Sequence, residues 1–155
     1  MNHTAHLARC PLFKGFTETG LQILASIARE RTIPAGTPIF REDMQGDALY
    51  VVASGDVRIC MTGADGREQT LAVLGPSEFF GEMSLLTPGS VRLVSAVAQN
   101  DATLLELHQR DFARLQTQKP QACLKLILNI AGEFGRKMSD NRPLLRSLLL
   151  PAGRR

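Results

Sequence analysis

The sequence predicts a mainly β domain with flanking helices, and three observations carry that reading. Turn residues punctuate the middle of the chain at a near-constant interval. The segments between them are rich in Val, Ile and Leu, and the segments outside them carry helical spacing. Turn signals fall at Pro34-Ala35-Gly36, Gly46-Asp47, Ser54-Gly55, Asp65-Gly66, Gly75-Pro76, Pro88-Gly89 and Asn100-Asp101. From Gly36 the glycines are 10, 9, 11, 9 and 14 residues apart, with 11 more to Asn100. Short strands turning every roughly 8–12 residues build a sandwich or a barrel.

Each element follows in chain order. Residues from about 4 to 28 are helical: Thr17 or Thr19 caps a helix whose Leu21, Leu24 and Ala25 share one face. Strands are predicted at 29–33, 37–41, 48–53, 56–61, 69–74, 93–98 and 102–107, within a β region from about 29 to 109. Asp65-Gly66 between two of them is a strong hairpin signal. The 14-residue step is the exception. Within it, residues 82–86 lack β-branched side chains, which predicts one helical turn inserted into a β-roll. Residues 110–118 form a short helix, and Pro120 opens a longer one, because proline suits the first turn. In the long helix Leu124, Ile127, Leu128, Ala131, Phe134 and Met138 follow helical spacing. Cys123 and Ile130 widen the stripe beyond one packing face. The helix ends near 139 at Ser139-Asp140-Asn141-Arg142-Pro143, and residues 140–155 form a tail too short for a second domain. The whole chain, 1–155, is therefore expected to be one domain.

Composition narrows the classes. The 155 residues are 44% hydrophobic and 21% charged, ordinary for a folded globular chain. No apolar run approaches the roughly 20 residues of a membrane-spanning helix, and the N-terminus lacks the apolar stretch of a secretory signal. Cys10, Cys60 and Cys123 are widely spaced and odd in number, which fits reduced thiols and a cytoplasmic location. Residues 1–109 hold 8 basic and 12 acidic side chains, whereas residues 110–155 hold 10 and 3. The basic residues of the tail are scattered and not interleaved with aromatics, so they are read as a solvated face rather than a nucleic-acid surface.

The segment that carries chemistry is 81–98, GEMSLLTPGSVRLVSAVA. A glycine followed by one helical turn leaves backbone N–H groups without intrahelical partners, and these suit a phosphate. Arg92, ten residues after Glu82 and placed at the start of the next strand, can fold back over the turn with charge-assisted hydrogen bonds. Glu82 would repel a bare phosphate, but it is a fitting acceptor for a sugar hydroxyl beside one. The set points to a ligand with one phosphate and a ribose, held in a β-roll.

This stretch resembles the phosphate-binding cassette of cyclic nucleotide-binding domains. The resemblance extends to Pro11-Leu12-Phe13 with Phe16, Ile33-Pro34-Ala35-Gly36, the run from Tyr50 to Val57, and the run from Leu74 to Glu82, and it covers residues 8–138. It implies an antiparallel β-roll, a jelly-roll-like double-stranded β-helix, with an inserted phosphate-binding helix and a C-terminal helical lid. It implies that Gly81 and the backbone of Met83 and Ser84 approach the cyclic phosphate. Glu82 would accept from the ribose 2′-hydroxyl, and Arg92 would pair with the exocyclic oxygens. Ile59, Leu71, Phe79 and Phe80 would line the apolar side, with Leu93 and Val94 beside the arginine. Lys137 and Met138 would cap the base. Leu93 stands where guanine-preferring members often carry Thr, so the implied ligand is cyclic AMP, with no cofactor and no metal.

The function expected is a stand-alone cyclic nucleotide receptor module, not an enzyme, whose C-terminal helices change on binding. The 16 residues after 139 cannot hold a helix-turn-helix, and no membrane span precedes the domain, so an effector protein in trans is expected. The apolar excess over 122–138 predicts a homodimer. Two alternatives use the same architecture. One is an interaction module that has lost its ligand. The other is a cupin-like metalloenzyme, which needs converging histidines; the chain has three, none in a His-x-His pair. Glu82 and Arg92 would then be a simple ion pair.

Overall fold

The computed structural model describes residues 2–144 and 146. Residue 145 and residues 147–155, most of the expected tail, lie outside the described residues. Helix α1 (His3–Arg9) is capped by the Asn2 side chain, which accepts from the Ala5 N–H. A 3-10 turn at Pro11–Phe13 leads to α2 (Glu18–Ile27), where Thr17, not Thr19, is the cap, accepting from the Gly20 N–H. Eight strands follow: β1 (Arg29–Ile33), β2 (Pro38–Phe40), β3 (Ala48–Ser54), β4 (Val57–Thr62), β5 (Glu68–Leu74), β6 (Phe79–Phe80), β7 (Ser95–Ala98) and β8 (Ala102–His108). Helix α3 (Met83–Leu86) interrupts them, and α4 (Gln109–Gln118) and α5 (Pro120–Asp140) close the fold.

The strands form two antiparallel sheets, ordered β1-β8-β3-β6 and β2-β7-β4-β5. That is the pairing of an eight-stranded jelly roll, and it matches the expected β-roll. Strand β3 is covered on both faces. Its Leu49, Val51 and Ala53 join Leu24, Leu105, Phe112, Leu126 and Ile130 in a core against the helices. Its Ala48, Tyr50 and Val52 join Phe40, Phe80, Ala96 and Leu104 inside the roll. The near-continuous apolar run of residues 48–53 is the signature of such a strand. Strand β5 pairs only with β4 and is exposed along most of its length. The turn between them is held by Gly63 N–H on Arg67 O and by Arg67 N–H on Asp65 Oδ1, with Gly66 at φ +80°.

Three expectations are corrected. Strand β6 was not foreseen, because its two residues run directly into the helical turn. It exists because Ser77 and Glu78 are already laced to Val52, at 2.8 and 2.9 Å, before Tyr50 and Val51 pair with Phe80 and Phe79. The strand expected over 93–98 starts at Ser95, so Arg92 lies in a loop rather than at a strand start. On α5 the wide apolar stripe is divided. The buried residues are Cys123, Leu126 and Ile130, whereas Leu124, Leu128, Phe134 and Met138 are exposed. Asn129 Nδ2, donating to Leu12 O and Lys14 O at 2.7 and 3.0 Å, fixes that division by tying α5 to the 3-10 turn.

Candidate functional site

The site begins where β6 ends. Gly81 takes φ +79°, and a Cβ there would fall 2.8 Å from Arg92 Nη1 and 2.9 Å from Ala48 O, so only glycine fits. Glu82 follows as the N-cap of α3, half-buried, with its carboxylate making no capping bond. The Ser84 N–H is engaged by Gly81 O at 3.2 Å and the Leu85 N–H by Glu82 O at 3.1 Å. The amides at the very start of the turn, of Glu82 and Met83, are the ones suited to a ligand. Ser84, expected to contribute its amide, is buried and its amide is taken.

Arg92 is brought back to this turn by a second loop, residues 43–47, which the sequence presented only as a turn. Asp43 N–H donates to Arg92 O at 2.8 Å, Arg92 N–H to Met44 O at 2.7 Å, and Gly46 N–H to Ser90 O at 3.1 Å. Gln45 bridges Val91 and its side chain donates to Gly89 O at 3.2 Å. The cassette's second half is thus held like a strand beside this loop.

The Arg92 side chain is 6% exposed. Its Nη2 donates to Ala48 O at 2.8 Å and its Nη1 to Gly81 O at 3.2 Å. Its Cζ lies 4.1 Å from the Phe40 ring centroid and 5.8 Å from that of Tyr50. Nε is buried with no hydrogen-bond partner. Burial holds the guanidinium below its ordinary pKa, opposed by Tyr50, Asp47 and Glu82. No ion pair between Glu82 and Arg92 exists among the described residues: the arginine is bound by carbonyls, not by a carboxylate, which sets aside the simple ion-pair reading. An orphaned, desolvated cationic donor beside free amides is an arrangement that an anion completes.

The remaining candidates divide. Phe80 faces the roll interior, stacked on Tyr50 with centroids 5.0 Å apart. Ile59 and Val94 pack partly buried against the same core. Leu71, Met83 and Leu93 are exposed at 56%, 48% and 74%. Phe79, expected to line the pocket, faces the opposite way into the helix-side core, because adjacent strand residues point to opposite faces. Lys137 lies against that same residue, its Nζ 4.6 Å from the Phe79 centroid, and Met138 is exposed. The Lys137 ammonium is therefore on the helix side of the sheet, and a base contact requires it to leave Phe79.

Sequence reasoning missed Gly46, Phe40, Tyr50 and the carbonyl of Ala48. Gly46 had a signal as a turn residue, but its role is steric. A Cβ there would lie 2.3 Å from Arg92 Nε and 2.5 Å from Ser84 Oγ. Beside it a small cavity of about 260 Å³ is lined by Gln45, Gly46, Asp47, Pro88, Gly89 and Gln109. A polar network around the buried Glu106 carboxylate also went unread: Glu106 accepts from Arg31 Nη1 at 2.6 Å and lies 2.8 Å from His108 Nε2. Among the described residues no group of three or more His, Cys, Asp or Glu is arranged to hold a metal ion. No described helix is long and apolar enough to cross a membrane.

The architecture is a jelly roll interrupted by a glycine-led turn, with an arginine folded back beside it. The family model described as cyclic nucleotide-binding domain matches residues 30–119, more than half of the chain. The chain belongs to the cyclic nucleotide-binding domain family. It is 46% identical over 110 residues to the cyclic AMP receptor protein of Thermus thermophilus, covering 71% of this chain and 50% of that protein. Among solved structures, it is similar to the N-terminal domain of a transcriptional regulator from Streptomyces coelicolor, at TM-score 0.77 and 35% identity, covering 87% of this chain and 95% of that one. It is also similar to the regulatory domain of Toxoplasma gondii PKA crystallised with cAMP, at TM-score 0.66 and 29% identity, covering 72% and 42%. The chain spans half to three-fifths of the length of the curated relatives it matches first.

Proposed function

We propose that this chain is a cyclic nucleotide receptor module that takes cyclic AMP and passes the bound state to α5. The observation that carries the reading is Arg92: a buried guanidinium with an unpartnered Nε, facing the turn that starts at Gly81. In this reading the amides of Glu82 and Met83 and the Arg92 fork meet the cyclic phosphate. Glu82 accepts from the ribose 2′-hydroxyl, and Ile59, Leu71, Phe80, Leu93 and Val94 supply apolar contact. Leu93 offers no hydroxyl to a guanine amino group, which favours adenine by one hydrogen bond, about 0.5–1.5 kcal/mol. The chemistry is binding, not turnover, and no side chain is assigned a catalytic role.

The output belongs to α5. Lys137 of α5 rests on Phe79, two residues before Gly81, so the helix and the cassette share a contact. Binding that draws Lys137 and Met138 toward the base breaks that contact and shifts the helix. Leu124, Leu128 and Met138 on α5 are exposed apolar residues at helical spacing, which supports a homodimer through residues 122–138. A signalling partner in trans follows from the same reading.

The test is calorimetric titration of nucleotide-stripped protein with cyclic AMP and cyclic GMP. The reading expects one site per chain and the tighter value for cyclic AMP. A clear preference for cyclic GMP overturns the assignment of base, and absence of heat and of competition with either nucleotide at millimolar concentration supports an interaction module instead.

A further inference from the structure

We infer that Phe40 is a positioning residue for the nucleotide phosphate, acting through Arg92; the inference rests on the cyclic nucleotide reading above. Phe40 is the last residue of β2, 8% exposed, and it faces the roll interior. Three rings meet there. Phe40 lies 5.9 Å from Tyr50 and 5.8 Å from Phe80, tilted at 40° and 48°, while Tyr50 and Phe80 stack at 15°. The Arg92 guanidinium sits on this aromatic floor, closest to Phe40 at 4.1 Å.

The geometry separates what holds Arg92 from what Arg92 offers. Its two carbonyl partners use Nη1 and Nη2, on the edge of the plane. Phe40 instead offers its ring to Cζ, at 4.1 Å from the centroid, a contact that takes no N–H. A ring beneath the guanidinium restrains its tilt without consuming a single N–H, so the second N–H groups of Nη1 and Nη2, beyond those given to Gly81 and Ala48, are left for an anion. Burial strengthens the contact, because a cation–π interaction gains when the cation is desolvated. An aliphatic residue of similar size would fill the space and leave the tilt free. The Gly46 loop bounds the other side: Gly46 has no side chain where the Arg92 Nε lies. The guanidinium is thus set against the Phe40 ring, with the bare backbone of Gly46 beside its Nε.

The experiment is a double-mutant cycle on cyclic AMP affinity, with wild type, Phe40→Leu, Arg92→Gln and the double variant, each checked by melting temperature. Phe40→Leu is expected to weaken cyclic AMP binding by roughly three- to thirtyfold in the wild-type background. In the Arg92→Gln background the same change is expected to cost less than about twofold, since no cation remains on the ring. Phe40→Tyr keeps a π face and is expected to bind within about threefold of wild type. Equal losses in both backgrounds assign Phe40 to packing alone and overturn the inference, as does wild-type affinity in Phe40→Leu. Should Phe40→Leu fail to fold, Phe40→Met takes its place in the cycle, with the same expected and overturning results. If wild type binds no cyclic nucleotide, the functional reading fails first and the inference falls with it, an outcome distinct from binding that ignores Phe40.

Discussion

Replacing Arg92 with alanine tests the site and the fold at once. From sequence alone, an exposed ion pair at this position would be worth about 0–1 kcal/mol to folding. The structure changes that figure. Arg92→Ala removes two charge-assisted bonds, to Ala48 O at 2.8 Å and Gly81 O at 3.2 Å, and the face contact with Phe40 at 4.1 Å. Hydrogen bonds to charged groups contribute about 1.5–3 kcal/mol each, and a desolvated cation–π contact about 2 kcal/mol. Against them stands the desolvation of a buried guanidinium whose Nε has no partner, a cost of several kcal/mol that the substitution relieves. The two sides nearly offset, leaving a net destabilisation of about 1–3 kcal/mol. For a chain of this length, that lowers the melting temperature by roughly 2–12 °C.

Affinity should respond more strongly than stability. The phosphate loses its one buried cation, and removing one partner of such a pair costs about 2–5 kcal/mol, a thirtyfold to several-thousandfold rise in Kd. Arg92→Lys should recover part of the stability and little of the affinity, because an ammonium has no fork to set beside Gly81. Titration calorimetry and thermal melts on the three proteins read both quantities. Wild-type affinity in Arg92→Ala would remove Arg92 from the site. A melting temperature that collapses beyond 15 °C would mean that the guanidinium is chiefly a structural strut, against the reasoning above.

Four further outcomes are expected. Gly46→Ala, which alters no charge, should displace Arg92 and weaken cyclic AMP binding about tenfold, since its Cβ would fall 2.3 Å from Nε; an unchanged Kd would mean that Arg92 relaxes freely. Leu128→Glu places a charge on an exposed α5 face and should turn a dimer into a monomer by sedimentation, without loss of the melting temperature measured at high dilution. Hydrogen exchange over residues 130–142 should change on saturation with cyclic AMP, and invariance there would disconnect α5 from the site. The thiols of Cys10, Cys60 and Cys123 are all buried, and burial pushes each pKa up, that of Cys10 to about 12. A raised thiol pKa means neutral sulfur at pH 8, so a thiol reagent should modify none of the three until the chain unfolds.

How much of this was legible in the sequence depended on the range of the interaction. Turn spacing and apolar runs are local, so the strands of both sheets were foreseen except β6, whose two residues are too few to carry a period. Gly81, Glu82 and Arg92 were legible because a glycine-led turn and a returning arginine lie within a dozen residues. Gly46 and Phe40 were not. Nothing near Gly46 says that an arginine 46 residues later will fill the space of its missing Cβ, and nothing near Phe40 says what its ring will support. On α5 the spacing was legible, but which apolar residues are buried was not. Two apolar faces compete there, and the choice between them rests on Asn129, a polar residue that bonds carbonyls at the other end of the chain.

Bonds between distant segments also decide how binding would reach α5. The 43–47 loop is the junction: it donates to and accepts from the cassette at Arg92 and Ser90, and Asp47 O accepts from the Gln109 N–H at 2.7 Å, at the first residue of α4. His108, just before it, lies 2.8 Å from Glu106 and 3.8 Å from Asp47. On the proposed reading, a displacement of Arg92 toward a phosphate would pull on a loop that is bonded to the start of α4, while at the other end of the cassette Phe79 meets Lys137 of α5. The helix pair α4 and α5 is thus held to the cassette by backbone bonds at the start of α4 and by Leu85 of α3 packed in the helix-side core, but at the C-terminal half of α5 by a single cation on a ring. Backbone bonds to a paired loop resist change, whereas an exposed lysine on an aromatic face gives way for about 0.5–1 kcal/mol. On the proposed reading, the asymmetry leaves α4 as the fixed end and the C-terminal half of α5 as the part expected to move, which hydrogen exchange over residues 130–142 reads.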